Sequence, residues 1–217
     1  MDHVEVHHRV EDGRRLATLV WRPPQPWRVV ATSMVGGGIG ERGWLLNAQV
    51  PLDYGRLDGE DHLAELAAAH DLRGPGVGML TGVDVARVVH TADGGAEVLA
   101  TVGLGSPTWA AAPDGDPLRR WRPGTVNLLV LLPVPMADAA LVNAVVTATE
   151  AKVQALGELG VPGTGTASDA VCVACPAGDR HAVEPFGGPR STWGARLARA
   201  VHAAVLDGAG AGGWAAR

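Results

Sequence analysis

Alternation of apolar and polar residues dominates the first half of the chain and predicts β-hairpins. Residues 4–10 and 14–21 alternate on either side of Glu11-Asp12-Gly13, whose residues favour a tight turn. Residues 28–35 read as a third strand, and residues 84–104 repeat the hairpin pattern around two consecutive glycines. The first half is therefore expected to consist mainly of antiparallel strands.

The remaining segments of the first half are expected to be one helix, one strand and two loops. Residues 59–72 have helical apolar spacing, and residues 77–83 read as a strand. The glycine-rich residues 36–43 are expected to form a flexible loop, and residues 45–55 a second, more polar loop. A capped turn is the simpler interpretation of that second loop, but it is rich in side chains able to bind a ligand. These are Asn47, Gln49, Asp53 and Tyr54.

The second half contains a strand, a long helix and another strand in succession. Residues 124–134 and 169–175 are apolar enough for buried strands, and residues 137–160 have a helical period that Gly157 or Gly160 can end. Such a crossover connects parallel strands in one sheet.

Residues 191–208 are expected to close the chain as a helix capped by Ser191 or Thr192. The order of elements predicts a mixed β-sheet of the α+β or α/β class. It has β-hairpins in the first half, a βαβ crossover unit in the second and a C-terminal helix, in one domain spanning residues 1–217.

The long helix carries an apolar and a polar stripe. The apolar stripe consists of Val142, Val145, Val146, Thr149, Val153 and Leu156. The polar stripe consists of Asn143, Thr147, Glu150 and Gln154. A polar stripe is ordinarily the solvated face of a helix, but Asn and Thr have lower helix propensity than Glu, Lys or Arg. A face turned towards a ligand would explain Asn143, Thr147 and Glu150 together.

Composition narrows the functional classes. The formal charge of −5 provides no basic face for nucleic acid. No apolar run is long enough to cross a membrane, and the N-terminus lacks the apolar core of a secretion signal, so a soluble cytoplasmic protein is expected. Cys172 and Cys175 lie in a predicted strand, where a spacing of three points them to opposite faces, so neither a metal nor a redox site is expected.

Six segments occur in order along the chain: "LLNAQVPLDY", "GVGMLTGVDV", "TVGLG", "GTVNLLVLLPVP", "LVNAVVTATEAKVQAL" and "GTGTASDAVCVACP". Together they resemble the adenosylcobinamide amidohydrolase family, in a match from about Gly36 to Leu206. The most specific parts are Gly-Thr-x-Asn, Thr-x-Thr-Glu-Ala-Lys and Gly-Thr-x-Ser/Thr-Asp. Two positions depart from the family pattern: Gly105-Ser106 replaces Ser-Asn, and Ser168 replaces Thr.

The resemblance implies an amidohydrolase of corrinoid salvage and cobalamin biosynthesis. It would cleave the amide between the aminopropanol arm and the corrin ring of adenosylcobinamide, giving adenosylcobyric acid and 1-amino-2-propanol. The substrate brings its own cobalt, so no protein cofactor or metal site is implied. The partner expected is this corrinoid, with neither nucleic acid nor membrane, and a homo-oligomer is left open.

Amide hydrolysis requires a nucleophile or activated water, donors to the oxyanion and an acid for the leaving amine. Glu150 is the preferred base, because a partly buried carboxylate acquires a pKa suited to proton transfer. Asp169 is able to orient a hydroxyl or to act as the base itself, and Lys152, the only lysine, is able to hold Asp169 or a propionamide oxygen. The catalytic candidates are Glu150, Asp169, Lys152, Thr166 and Ser168.

The expected substrate-binding residues combine the loop and helix side chains above with those beside the two predicted parallel strands. They are Asn47, Gln49, Asp53, Tyr54, Thr125, Asn127, Asn143, Thr147 and Thr164. A competing hypothesis is a non-catalytic corrinoid-binding or carrier module, because Asp179-Arg180-His181 matches a short Asp-x-His motif able to ligate cobalt. Nothing else typical of a carrier surrounds that motif.

Overall fold

The computed structural model describes residues 4–114, 124–178 and 183–211, which form two β-sheets and three α-helices. The strands are β1 Val4–Glu11, β2 Arg14–Trp21, β3 Trp27–Ala31, β4 Gly38–Arg42, β5 Leu45–Gln49, β6 Val77–Thr81, β7 Val89–Asp93, β8 Ala96–Val102, β9 Val126–Leu131 and β10 Ala170–Pro176. The helices are α1 Gly59–Ala69, α2 Asp138–Glu158 and α3 Thr192–Ala211.

The smaller sheet has the strand order β1-β2-β5-β6. The predicted β1–β2 hairpin is confirmed, and its two-residue turn places Asp12 and Gly13 at φ +48° and +73°, the left-handed values that this tight turn requires. Strands β5 and β6 are parallel, with α1 between them in the chain. This sheet therefore contains a βαβ unit that the sequence did not predict.

The larger sheet has the strand order β4-β3-β10-β9-β8-β7. The predicted hairpin around Gly94 and Gly95 joins β7 to β8, and the predicted crossover through α2 joins the parallel strands β9 and β10. The α+β class is confirmed, with two mixed sheets instead of one. The assignment of residues 1–217 to one domain stays a prediction.

Three apolar clusters hold the elements in four layers. Helices α2 and α3 pack on one face of the larger sheet, and the other face of that sheet packs on the smaller sheet. Helix α1 covers the outer face of the smaller sheet. Side chains alternate between layers, since Leu128 and Val130 of β9 meet the helices while Leu129 faces the smaller sheet.

The two cysteines follow the same alternation, as predicted. Cys172 lies between the sheets and Cys175 lies under the helices, and both are buried free thiols. Burial raises the pKa of Cys172 to about 12 and raises the pKa of Cys175 as well. Neither thiol is therefore a nucleophile at neutral pH.

The buried face of α2 differs from the predicted apolar stripe. Val142 and Val146 are about half exposed, and small residues make most of the contacts with α3 and the larger sheet. The buried side chains are Ala140, Leu141, Ala144, Thr147, Ala148, Ala151, Lys152, Ala155 and Leu156. The prediction was wrong here because alanines, which allow the close approach of α3, counted for less than valines in the apolar pattern.

Both segments expected to be loops in residues 36–55 contain strands. Residues 38–42 form β4, which pairs with β3 at the edge of the larger sheet. The Arg42 guanidinium donates to the Gly36 carbonyl beside this strand. Residues 45–49 form the buried strand β5, and Asn47 lies in the interface between the sheets. Separately, no helix in the described ranges is long and apolar enough to span a bilayer.

Candidate active site

A cavity of about 560 Å³ opens between the two sheets at one end of the sandwich. It lies at the carboxyl ends of β3, β5 and β6 and at the amino ends of β9 and β10. Among its described lining residues only Asp169 is charged, and most others are apolar or carry hydroxyl groups. The polar lining residues are Thr32, Ser33, Tyr54, Thr81, Ser106, Thr108, Thr125, Asn127, Ser168 and Asp169.

Asp169 is held by four hydrogen bonds at the entrance to β10. The Val126 amide (2.9 Å) and the Thr166 hydroxyl donate to its Oδ1 atom. The Thr166 amide (3.1 Å) and the Lys152 ammonium donate to its Oδ2 atom. Because a carboxylate accepts about four hydrogen bonds, both oxygens of Asp169 are fully used by the protein.

Lys152 reaches Asp169 from the buried face of α2. The two side chains are 7% and 11% exposed, so the ion pair lies almost entirely out of water. A buried ion pair is costly to desolvate and is held only where its geometry and hydrogen bonds are good. The sequence hypothesis that Lys152 holds Asp169 therefore agrees with this geometry.

Residues 164–169, here called the Asp169 turn, are pinned to the segment that follows β8. The Thr108 amide donates to the Gly165 carbonyl (2.8 Å), and the Thr164 amide donates to the Thr108 carbonyl (2.9 Å). Gly165 cannot carry a side chain here, because a Cβ atom would overlap Asp169 Oδ2 and Lys152 Nζ. The turn is thus fixed both by backbone pairing and by its ion pair.

A chain of buried polar side chains extends from the Asp169 turn into the space between the sheets. Thr125 donates to the Ser168 carbonyl (2.8 Å) and lies 3.4 Å from Asn127 Oδ1. Asn127 donates to Asn47 (2.9 Å) on the opposing sheet, and Asn47 donates to Thr101 (3.1 Å). Ser168 is exposed to the cavity, and its hydroxyl has no hydrogen-bond partner within the described part of the chain.

Tyr54 also lines the cavity and lies beside α1. Its hydroxyl lies 2.9 Å from Nδ1 of the buried His62, whose Nε2 lies 3.4 Å from Glu11. Burial is the main cause that raises the pKa of Tyr54, so the phenol keeps its proton at neutral pH. Sequence analysis missed His62, because a histidine inside an amphipathic helix gives no signal that it contacts a residue eight positions earlier.

The structure separates Glu150 from the Asp169 turn, contrary to the expectation of one shared cleft. Glu150 and Thr147 line a different hollow, of about 410 Å³, between α2 and α3. Glu150 is exposed, and Thr147 donates to the Gly187 carbonyl (2.9 Å). Asn143 is exposed beside Gly188. Glu150 and Lys152 are separated because side chains two positions apart on a helix lie on different faces: Lys152 points towards β10, and Glu150 points away from it.

The predicted residues around β5 are divided between two places. Tyr54 lines the cavity, whereas Gln49 and Asp53 line an adjacent open hollow. Gln49 accepts from the Ala17 amide (3.1 Å), and Asp53 pairs with Arg14. The motif at residues 179–181 lies outside the described residues.

The cavity wall combines hydrogen-bonding groups with apolar surface. Hydroxyl groups lie at this wall beside the buried Lys152–Asp169 ion pair, where they can hydrogen bond a polar ligand. Within the three described ranges, no group of three His, Cys, Asp or Glu side chains is close enough to hold a metal ion.

Comparison with known proteins identifies the family. A family model described as adenosylcobinamide amidohydrolase matches residues 2–214, nearly the whole chain. The chain therefore belongs to the adenosylcobinamide amidohydrolase family, which confirms the resemblance found in its motifs.

Two curated relatives carry the name adenosylcobinamide amidohydrolase. The protein from Halobacterium salinarum is 41% identical over 134 residues, which cover 58% of this chain and 55% of the relative. The chain thus matches only about half the length of that relative. The protein from Methanosarcina mazei is 26% identical over 189 residues, covering 84% of this chain and 90% of the relative.

Two solved structures are similar at low sequence identity. The PH0078 protein from Pyrococcus horikoshii OT3 has a TM-score of 0.48 and 14% identity, covering 95% of this chain and 84% of that one. The L-aminopeptidase D-Ala-esterase/amidase from Ochrobactrum anthropi has a TM-score of 0.40 and 13% identity, covering 95% and 83%.

Proposed function

We propose that the protein hydrolyses the amide between the aminopropanol arm and the corrin ring of adenosylcobinamide, giving adenosylcobyric acid and 1-amino-2-propanol in corrinoid salvage. The observation that carries this proposal is the Asp169 turn, which is fixed by a buried ion pair with Lys152 and presents the Ser168 hydroxyl to the cavity. Family membership and the names of the two relatives support it.

In this proposal Asp169 and Lys152 are positioning residues. All four acceptor positions of Asp169 are used within the protein, so it cannot take a proton from water without losing a partner. The pair instead fixes the turn so that the Ser168 hydroxyl meets the scissile amide as nucleophile or as a hydrogen-bond donor. Thr125 supports Ser168 by holding its carbonyl.

Proton supply to the leaving amine is assigned to Tyr54. Its hydroxyl lines the cavity and carries a proton at neutral pH, as an acid must in order to donate. His62 lies within hydrogen-bond distance of the same hydroxyl and provides a route by which the proton is replaced. Cleavage then yields the free amine and a carboxylic acid on the ring, with one water consumed.

The direct test is to incubate the protein with adenosylcobinamide and to measure released 1-amino-2-propanol and the corrinoid product by mass spectrometry. Release at a catalytic rate supports the proposal. Corrinoid binding without release would favour the carrier module, and absence of corrinoid binding would indicate a hydrolase of another substrate.

Variants then locate the site. Ser168→Ala is expected to lower kcat about 100-fold or more, the usual effect of removing a group that acts in the transition state. Asp169→Asn is expected to lower kcat as well, because it loosens the turn that positions Ser168. Glu150→Gln distinguishes the two candidate sites. Near-normal activity is expected for this variant if chemistry occurs at the Asp169 turn. Arg28→Gln, which breaks an exposed ion pair with Asp138, is the folding control. Loss of activity in Glu150→Gln alone would move the site to the α2–α3 hollow.

A further inference from the structure

The cavity accounts for only part of the proposed substrate. Its volume of about 560 Å³ lies within the range that accommodates a drug-sized ligand. Adenosylcobinamide is several times larger, since it combines a macrocycle of four five-membered rings, several carboxamide arms and a nucleoside. The cavity can therefore receive one arm, and the macrocycle must rest on the surface beside the opening.

One neighbouring surface is continuous with the cavity. An open hollow of about 700 Å³, here called the Arg14 hollow, shares the segment Val50–Leu52 and Gly82 with the cavity wall. This segment forms a ridge between the two concavities. Leu52 is 61% exposed on that ridge and offers an apolar contact beside the opening of the cavity.

The polar groups of the Arg14 hollow suit carboxamides. Arg14, Arg15 and the Gln49 side-chain N–H groups provide donors, and Asp53 and Asp84 provide acceptors. A primary carboxamide carries both a carbonyl acceptor and two N–H donors, so it matches a lining of mixed sign better than an anion or a cation would. The cavity differs sharply, since its described lining has Asp169 as its one charged residue.

We propose, on the basis of the proposed function, that the corrinoid lies across the Val50–Leu52 ridge, with its aminopropanol arm in the cavity, its macrocycle on Leu52 and neighbouring carboxamide arms hydrogen bonded in the Arg14 hollow. Gln49 and Asp53 are then substrate-binding residues of this second subsite. In this arrangement the enzyme binds the periphery of the ring at a distance from the bond that it cleaves.

Three substitutions test the second subsite: Arg14→Gln, Asp53→Asn and Leu52→Ser. The Arg14–Asp53 pair is exposed, with side chains 50% and 70% accessible, so its loss should leave folding intact. Each substitution is expected to raise KM for adenosylcobinamide about tenfold and to leave kcat within about twofold, because the contact is equal in ground and transition states.

Matched controls lie far from the ridge. Arg199→Gln breaks a similar exposed ion pair with Asp93, and Val142→Ser removes a half-exposed apolar side chain from α2. Both should have the KM and kcat of the wild type. Equal KM increases in the controls and the test variants would overturn the proposal, as would a fall in kcat at unchanged KM.

Binding of adenosylcobyric acid separates this inference from the proposed function. This product keeps the macrocycle and its carboxamide arms but lacks the aminopropanol arm. Equilibrium dialysis should show weaker binding to the three test variants than to the wild type and controls. If the wild type releases aminopropanol while all variants bind the product equally, the second subsite is wrong and the function stands. If the wild type releases none, the proposed function fails, and product binding still decides the subsite.

Discussion

At the scale of single residues, the two carboxylates predicted to act in catalysis, Asp169 and Glu150, differ in their hydrogen bonds. Asp169 is largely buried and accepts four hydrogen bonds, whereas Glu150 is exposed on α2. A carboxylate used in this way stabilises a precise turn and a buried ammonium group, because removal of one partner would leave the other charge uncompensated. The ion pair is therefore a structural requirement of the site.

The buried cysteines predict an alkaline loss of stability. Burial raises the pKa of Cys172 to about 12, whereas an unfolded thiol titrates near ~8.5. Between these values the unfolded state releases a proton that the native state retains, so the free energy of unfolding falls as pH rises. The expected slope from this thiol is about −1.4 kcal/mol per pH unit.

Urea unfolding from about pH 8 to about pH 10.5 measures this slope. Cys172→Ala should flatten it by roughly the contribution of one thiol. Val173→Ala is the control, since it opens a similar space in the same strand without removing a titrating group. Equal slopes in the two variants would show that Cys172 does not control the alkaline transition.

At the scale of elements, helix α2 ends in a hydrogen-bonded cap that its sequence specifies. The Gly160 amide donates to the Gly157 carbonyl (3.0 Å), and the Val161 amide donates to the Leu156 carbonyl (2.9 Å), as in a Schellman motif. Gly160 has φ +66°, and Val161 and Leu156 belong to the same apolar cluster. The chain then continues through the Asp169 turn directly into β10.

Two glycines at the carboxyl end of α2, one inside the helix and one just beyond it, should therefore respond in opposite directions to the same substitution. Gly160→Ala forces a side chain into the left-handed region and is expected to lower stability by about 1–2 kcal/mol. Gly157→Ala adds a Cβ atom in open space within the helix and is expected to raise stability by about 0.5–1 kcal/mol. Urea unfolding of both variants checks the signs, and a change of the same sign in both would contradict this account of the cap.

The same scale explains what sequence could predict. The two hairpins, the crossover and the cap depend on local turn residues and on apolar runs, which are visible in the chain itself. Strand β4 has neither, since its position is fixed by pairing with β3 and by Arg42. The faces of α2 depend on how closely α3 approaches, which the sequence does not show. Lys152 contacts Asp169 and Glu150 lines the α2–α3 hollow, and the functional roles predicted for both residues stay predictions.

At the scale of the whole molecule, the site exists because two sheets face each other and leave a cavity at one end. Neither sheet contains the site alone: Asp169, Ser168 and Thr125 come from the larger sheet, and Tyr54 follows β5 of the smaller one. Ligands of open α/β sheets bind at the carboxyl ends of parallel strands, and β5 and β6 satisfy that rule here. Strands β9 and β10 contribute their amino ends to the same cavity, and β3, antiparallel to β10, contributes its carboxyl end.

The Asn47–Asn127 hydrogen bond joins the two sheets beside the cavity and gives the last prediction. Both side chains are buried, at 5% and 2% exposure, and Asn127 also donates to the Leu80 carbonyl (3.0 Å). Asn47→Leu or Asn127→Leu alone leaves a buried polar partner unpaired, so each should lower the free energy of unfolding by about 1–3 kcal/mol.

The double variant should lose about 1 kcal/mol less stability than the sum of the two single variants, because its two leucines meet across the interface. A urea double-mutant cycle measures this coupling. Strict additivity would contradict a direct coupling of Asn47 to Asn127 across the interface.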